Sequence, residues 1–164
     1  MREYIVNTGY SISIAGPGPS TVVGIAPTSV GTIEVIRAWC SQFSSTSSAQ
    51  QRIAIGSKAS TYGSFSASTP VATKSGDPSS AITTTTTVMV QGGCGINASS
   101  EGTGTLTLQY PDNFNVLNGW LWVPTPNETF MYSGAKSVAA YLTLLANPGT
   151  TTGWNAGLVY RELF

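Results

Sequence analysis

Histidine is absent from the sequence, and with it go the commonest general base, the commonest metal ligand and every Ser-His-Asp or Cys-His arrangement. Charge is nearly as scarce. Only 9% of the residues are Asp, Glu, Lys or Arg, against about 25% in an ordinary soluble domain. Seven acidic and seven basic side chains cancel and form no runs, so there is no electrostatic footprint for nucleic acid or for an anionic membrane. A neutral surface gives little colloidal repulsion. That fits a surface covered by partners, and it fits a plain Ser/Thr-rich surface equally well. There are two cysteines, Cys40 and Cys94, far apart in sequence. They lack metal-site spacing, and two buried thiols are expected rather than a disulfide. Long apolar runs are missing too. Residues 1–7 contain no apolar h-region, so no signal peptide is expected. The longest apolar run, residues 138–146, is broken by Thr143 and falls far short of the ~20 residues of a membrane span.

What is present is a chain of 164 residues, enough for one domain that buries roughly 70% of its unfolded surface. Ser, Thr, Gly and Asn supply the polarity. They suit turns and solvated strand faces and are poor helix formers. Residues 4–14 alternate weakly and read as a half-exposed strand, broken by Gly16-Pro17-Gly18-Pro19. Residues 21–25 form a short strand ended by Pro27. Residues 32–40 form a longer one with Ile33, Val35 and Trp39 on one face and Arg37 as the exception, read as lying at the sheet edge. A strand over 51–56 turns Ile53 and Ile55 inward. Residues 57–80 are the longest irregular region, and loops of that length tend to be functional or mobile. Its Tyr62 and Phe65 lie against something, either a partner or its own domain. The threonine-rich run 81–90 reads as a β-branched strand and Gly92-Gly93-Cys94-Gly95 as a turn. Residues 103–110 alternate through Leu106, Leu108 and Tyr110, and 111–119 read as a loop. Residues 120–123 form an apolar strand, and Phe130 and Tyr132 follow.

The last third, residues 134–164, is the most organised stretch. Two apolar runs joined by Asn147-Pro148-Gly149 suggest two neighbouring antiparallel strands, one of them buried on both faces. A short helix over 136–146 competes, with Val138, Tyr141, Leu142 and Leu145 on one stripe. Strand is preferred because Gly134 and Pro148-Gly149 bracket the run. The expected fold is all-β: an antiparallel jelly-roll-like sandwich of about eight strands with long polar loops. Residues 1–19 are expected as an N-terminal strand or arm, and 20–164 as a single domain.

No residue pattern points to chemistry. Asp77, Glu101, Asp112 and Glu128 are candidates for a glycosidase pair, which needs carboxyls roughly 5 to 9.5 Å apart, but acids scattered through polar loops read as solvated surface. Gly16-Pro17-Gly18 is no phosphate loop, since proline removes N–H donors. The sequons at Asn97 and Asn127 read as chance matches in a Ser/Thr-rich chain. No catalytic or metal residue is assigned, and no cofactor, small-molecule substrate, nucleic acid or membrane is expected as a partner. Trp120 and Trp122 share one strand face, so they are core or interface. The candidate interface residues are Tyr4, Ile5, Tyr62, Phe65, Trp120, Trp122, Tyr141, Trp154 and Tyr160, with ordinary core the competing reading for each. Phe164 raises the same question.

Three stretches carry a resemblance: residues 53–60 (Ile-Ala-Ile-Gly-Ser-Lys-Ala-Ser), residues 70–80 ending Gly76-Asp77-Pro78-Ser79-Ser80, and residues 157–163 (Gly-Leu-Val-Tyr-Arg-Glu-Leu). Their order over residues 30–164 resembles that of small phage head-decoration (cement) proteins, as in tailed phages of cyanobacteria. The resemblance implies a jelly-roll subunit, a homotrimer, on the outer surface of an icosahedral capsid, bound across neighbouring major capsid proteins. Residues 1–19 and 57–80 would reach across the shell. Two other classes stay open. A receptor- or carbohydrate-binding head domain of a phage tail fibre would bind sugar in loops bearing Trp154 or Tyr62. A lectin-like module would need paired acids or a Ca²⁺ site.

Overall fold

The computed structural model describes residues 1–9, 11–14, 19–85, 87–146, 148 and 151–163. Among these the chain forms β1 (Arg2–Asn7), β2 (Ser20–Ile25), β3 (Thr32–Gln42), β4 (Gln50–Ala59), β5 (Ser64–Ala67), β6 (Val71–Ala72), β7 (Thr83–Thr84), β8 (Gly93–Ser100), β9 (Leu106–Asn115), β10 (Trp120–Trp122), β11 (Phe130–Ser133), β12 (Val138–Leu144) and β13 (Trp154–Leu163). One 3-10 turn, Gly134–Lys136, precedes β12. The expected Gly16-Pro17-Gly18 break, Tyr10, Thr86, Asn147 and Gly149 of the Pro-Gly turn, and Phe164 lie outside the described residues.

Two sheets pack face to face. Sheet A runs β10-β3-β13-β1-β6 with β11 also on β3, and sheet B runs β5-β8-β2-β12-β4-β9 with β7 also on β8. The pairing follows one folded-over hairpin: β1 pairs with β13, β2 with β12, β3 with β10 and β11, and β4 with β9. Rolling that hairpin also sets β13 against β3 and β12 against β4. The result is the jelly-roll connectivity, a double sheet that leaves few long edges. The chain between β4 and β9 is an insertion. Its β5, β7 and β8 widen sheet B beyond β2, while β6 crosses over to pair with β1 in sheet A.

Several expectations are corrected. Of the strand or arm expected over residues 1–19, residues 2–7 take the strand form and are not free to reach outward. The strand β1 is hydrogen-bonded to β13 on one side and β6 on the other, with Tyr4 and Val6 fully buried. The two C-terminal runs are strands, as preferred over the helix, but they are not neighbours. β12 lies at the middle of sheet B and β13 in the middle of sheet A, so each is hydrogen-bonded to a strand on both sides. The Gly92–Gly95 turn is one residue of turn, Gly92 at φ 77, followed by β8, whose Gly-Cys-Gly start has no alternation to reveal it. Residues 57–80 stay mostly irregular, but the end of β4, β5 and β6 tie three parts of them into the sheets. The expected strand over 81–90 shrinks to β7 and an isolated Ser64–Val88 bridge. β9 runs on through Pro111 to Asn115, which an edge strand tolerates because one side of its backbone pairs with nothing.

The face expected on β3 is also redrawn. Its register against β13 slips between Val159 and Tyr160, which face Arg37 and Val35. Ile36 is the extra residue of a β-bulge. Inward positions therefore change phase from Ile33 and Val35 to Ala38, Cys40 and Gln42, and Trp39 moves to the outer face. Arg37 is exposed there, at a stretch of β3 that has β13 on one side and no strand on the other, a local sheet edge within a strand that is otherwise paired on both sides.

The inner faces of both sheets form one core that includes Tyr4, Val35, Ile53, Ile55, Leu142, Leu158 and Tyr160. Trp154 meets Phe114 edge-on at 6.3 Å, and Tyr4 lies 5.6 Å from Tyr160. At one end of this core the chain at residues 78–82 is strapped down. Tyr4 Oη donates to Pro78 O at 3.0 Å, and the Glu162 carboxylate accepts from Ser80 Oγ and from Ala81 N at 3.0 Å. Cys40 and Cys94 are free, buried thiols, as expected. Burial raises both, Cys94 to about 12, so neither supplies a thiolate near neutral pH.

Candidate interaction faces

The outer face of sheet B is covered by the chain itself. Register places Gly95, Gly24, Tyr141 and Gly56 in one row across β8, β2, β12 and β4. The three glycines leave a trough beside the tyrosine, and the insertion fills it with Phe65. A Cβ on Gly24 would lie 2.8 Å from Phe65 Cζ, and one on Gly95 2.4 Å from Phe65 Cβ. Phe65 meets Tyr141 edge-on at 5.6 Å and 85°, and Tyr62, Met89, Ala98 and Leu106 complete this second cluster. Tyr141 Oη donates to Tyr62 O.

A polar clasp closes the same cover. Lys58 is buried, donates through Nζ to Glu101 O and lies 5.5 Å from the Tyr141 ring centroid. Burial lowers the Lys58 pKa, with the charge of Glu101 acting the other way. The Glu101 carboxylate accepts from Thr21 N and Thr21 Oγ1, both at 2.5 Å, and Thr21 Oγ1 lies 3.1 Å from Thr143 Oγ1. Each buried polar group on this face has a partner except Tyr62 Oη, which has none among the described residues.

Among the described residues, the outer face of sheet A has no such cover. Reading across the registers, Leu121 stands opposite Trp39, Trp39 opposite Gly157, Ile5 opposite Val159, and Val71 opposite Ile5. Trp39 lies flat over Gly157, where a Cβ would come within 2.1 Å of its ring, and its Nε1 donates to Asn155 Oδ1 at 3.0 Å. Leu121 is 65% exposed, Val123 62%, Met131 65% and Val71 58%. Single exposed apolar residues are ordinary, but several gathered on one sheet face mark an interaction surface.

One row of this face is charged. Arg161 Nε donates to Glu3 Oε1 at 2.9 Å, and a second nitrogen lies 3.5 Å from Glu34 Oε2. The hydrogen bond to Glu3 raises the Arg161 pKa further. Thr129 Oγ1 holds the other Glu34 oxygen at 2.6 Å.

Of the nine candidate interface residues, eight are interior. Tyr4, Trp120, Trp122, Trp154 and Tyr160 belong to the core between the sheets, and Tyr62, Phe65 and Tyr141 to the cluster outside sheet B. Their aromatic surface is used within the chain, which leaves it unavailable to another molecule. Ile5 alone lies on the open face, half-buried. The residues missed are Leu121, Val123, Met131 and Val71. Leu121 and Val123 were legible as the partners of the tryptophans on the opposite strand face. Met131 and Val71 sit in strands too short to show a phase.

The candidate carboxylates are each engaged locally. Glu101 holds Thr21, Asp112 accepts from Trp120 Nε1 at 2.9 Å and Glu128 accepts from Thr125 Oγ1 at 2.8 Å, while Asp77 closes a turn through its backbone N–H, which donates to Lys74 O. Among the described residues no group of three or more acids or cysteines could hold a metal ion. No helix is long and apolar enough to cross a membrane. Comparison with protein-family models, curated proteins and solved structures finds no match to this chain.

Proposed function

We propose that this protein is a structural subunit that decorates and stabilises an icosahedral phage capsid, docking on the major capsid protein through the outer face of sheet A. The observation that carries the reading is the contrast at that face: a wide apolar sheet surface left bare on a domain that covers its other sheet with its own chain. The capsid as partner comes from the order of the stretches at residues 53–60, 70–80 and 157–163, which resembles that of head-decoration proteins. The mechanism is mass action. A subunit that binds only the assembled, expanded shell stabilises it by the free energy of that binding.

The arms first expected to reach across the shell are not needed for this reading: residues 2–7 are a strand of the sandwich, and β4, β5 and β6 anchor parts of 57–80 in the sheets. Self-association into a homotrimer belongs to the same proposal, but Trp154 and Tyr160 cannot line its axis because both are internal.

Two measurements test it. Light scattering on the purified protein should give a mass near three times 17.0 kDa. Cosedimentation with empty, expanded phage heads should show saturable binding. The double variant Leu121→Ser with Met131→Ser should bind at least about tenfold more weakly. Undiminished binding by that variant overturns the assignment of the face. Attachment to the host envelope with none to heads replaces the capsid by a receptor, as in a tail-fibre head domain.

A further inference from the structure

The open face of sheet A holds a cleft whose origin lies in the backbone. β10 stops pairing with β3 at Trp122 opposite Ala38, and β11 begins at Phe130 opposite Val35. Ile36 and Arg37, between those points, have no strand partner on that side. The intervening chain, residues 123–129, carries Pro124 and Pro126, which have no N–H to continue the ladder. The bulge at Ile36 turns both it and Arg37 outward. The resulting cleft, about 290 Å³, is lined by these two residues, both prolines, Thr129, Glu3 and Arg161.

Its wall carries two guanidiniums and one carboxylate. Arg161 is held by Glu3 and Glu34, and Thr129 is held by Glu34. Arg37 is exposed and, among the described residues, makes no hydrogen bond or ion pair. An unpaired guanidinium at the mouth of a proline-walled cleft, with Leu121 and Met131 on either side of it along the face, lacks only an acid. Arginine also presents a planar fork that suits a carboxylate in two-point contact.

We propose that this cleft takes an aspartate or glutamate side chain from an extended segment of the partner protein, with Arg37 as its anchor and the flanking apolar residues seating its neighbours. The inference rests on the reading of sheet A as the docking face and specifies the chemistry of what docks there.

The first test needs no shell. The ¹⁵N-labelled full chain is titrated with two capped peptides, acetyl-Val-Glu-Val-amide and acetyl-Val-Gln-Val-amide, followed by NMR. The Arg37 Nε–H and Thr129 amide signals should move with the glutamate peptide and at least about fivefold less with the glutamine one. Arg37→Ala should abolish the difference and Arg37→Lys should recover part of it, since lysine keeps the charge and loses the fork. Equal responses to the two peptides, or none to either, overturn the proposal. The second test is head cosedimentation, where Arg37→Ala should weaken binding about tenfold and flatten its salt dependence. Equal binding by wild type and Arg37→Ala, with unchanged thermal unfolding, also overturns it. Failure of the wild type to bind heads while the glutamate peptide still binds Arg37 removes the capsid and leaves the cleft standing.

Discussion

The two sheets of this protein treat their outer faces in opposite ways. Sheet B has a row of glycines that opens a trough, and the insertion between β4 and β9 packs Phe65, Tyr62 and Met89 into it. Sheet A has larger outward residues, Trp39, Leu121 and Met131, and among the described residues no segment shields Leu121 or Met131, which stay 65% exposed. A sheet in a sandwich needs its inner face buried for stability, whereas covering the outer face is a choice. The covered face thus belongs to folding and, on the proposed reading, the bare one to recognition, so substitutions on the two should separate cleanly.

Phe65→Ala gives the largest effect. It empties the trough and should destabilise the protein by about 3–5 kcal/mol, read as a lower urea midpoint together with new binding of a hydrophobic dye. A dye signal without loss of stability would show that the cover is not cooperative with the sandwich. Alkaline pH comes next. Burial raises the phenols of Tyr132, Tyr141 and Tyr160 above their usual 10.0. The unfolded chain therefore ionises first, and stability is full below pH 10 and falls as pH rises past it. Each such phenol contributes a slope of up to about 1.4 kcal/mol per pH unit. Lys58 runs the other way: its lowered pKa costs stability in the charged form, a cost that fades as pH climbs toward 10.5. Urea midpoints at pH 7, 9 and 11 should stay level and then drop, and Tyr141→Phe should shallow the drop. A profile insensitive to Tyr141→Phe would mean the cover opens before its tyrosine titrates.

Gly24→Ala is a finer probe, because its Cβ meets the Phe65 ring at 2.8 Å. Overpacking of that kind should cost about 1–3 kcal/mol, and combining it with Phe65→Ala should relieve the clash, so that the pair costs less than the sum. Strict additivity in the double mutant would deny the contact. On the bare face, Leu121→Ser should change stability by no more than about 0.5 kcal/mol. A larger loss by thermal unfolding would show that this surface also serves the fold.

How far the sequence could be read follows from the same contrast. The sandwich was legible because alternation and Gly/Pro punctuation are local, and β2, β3, β4, β10 and β12 announce themselves that way. Partners in a rolled hairpin are not local. The joining turn suggested that β12 and β13 were neighbours, and only the sheet order separates them. The trough is illegible for a similar reason: Gly24 and Gly56 sit in separate expected strands and Gly95 in an expected turn, and only register brings them into one row around Tyr141. The candidate aromatics went inward for the ordinary reason that large apolar rings gain most from burial, which sequence alone could not distinguish from burial against a partner. The bulge at Ile36, one residue out of phase, hid both Trp39 and the Arg37 cleft.

The placement of the last two strands bears on how the chain acquires its fold during synthesis. β12 and β13, from residues 138 to 163, sit inside both sheets, each flanked by strands made long before. Until they leave the ribosome, β1 and β3 have no strand between them in sheet A, and β2 and β4 none in sheet B. The nascent chain must therefore wait, with apolar edges unpaired, for its final segment. Folding dominated by such distant pairings is slow and exposed to aggregation, and a chain of zero net charge has only its Ser/Thr-rich polarity and short apolar runs, not repulsion, to keep it dispersed through that delay.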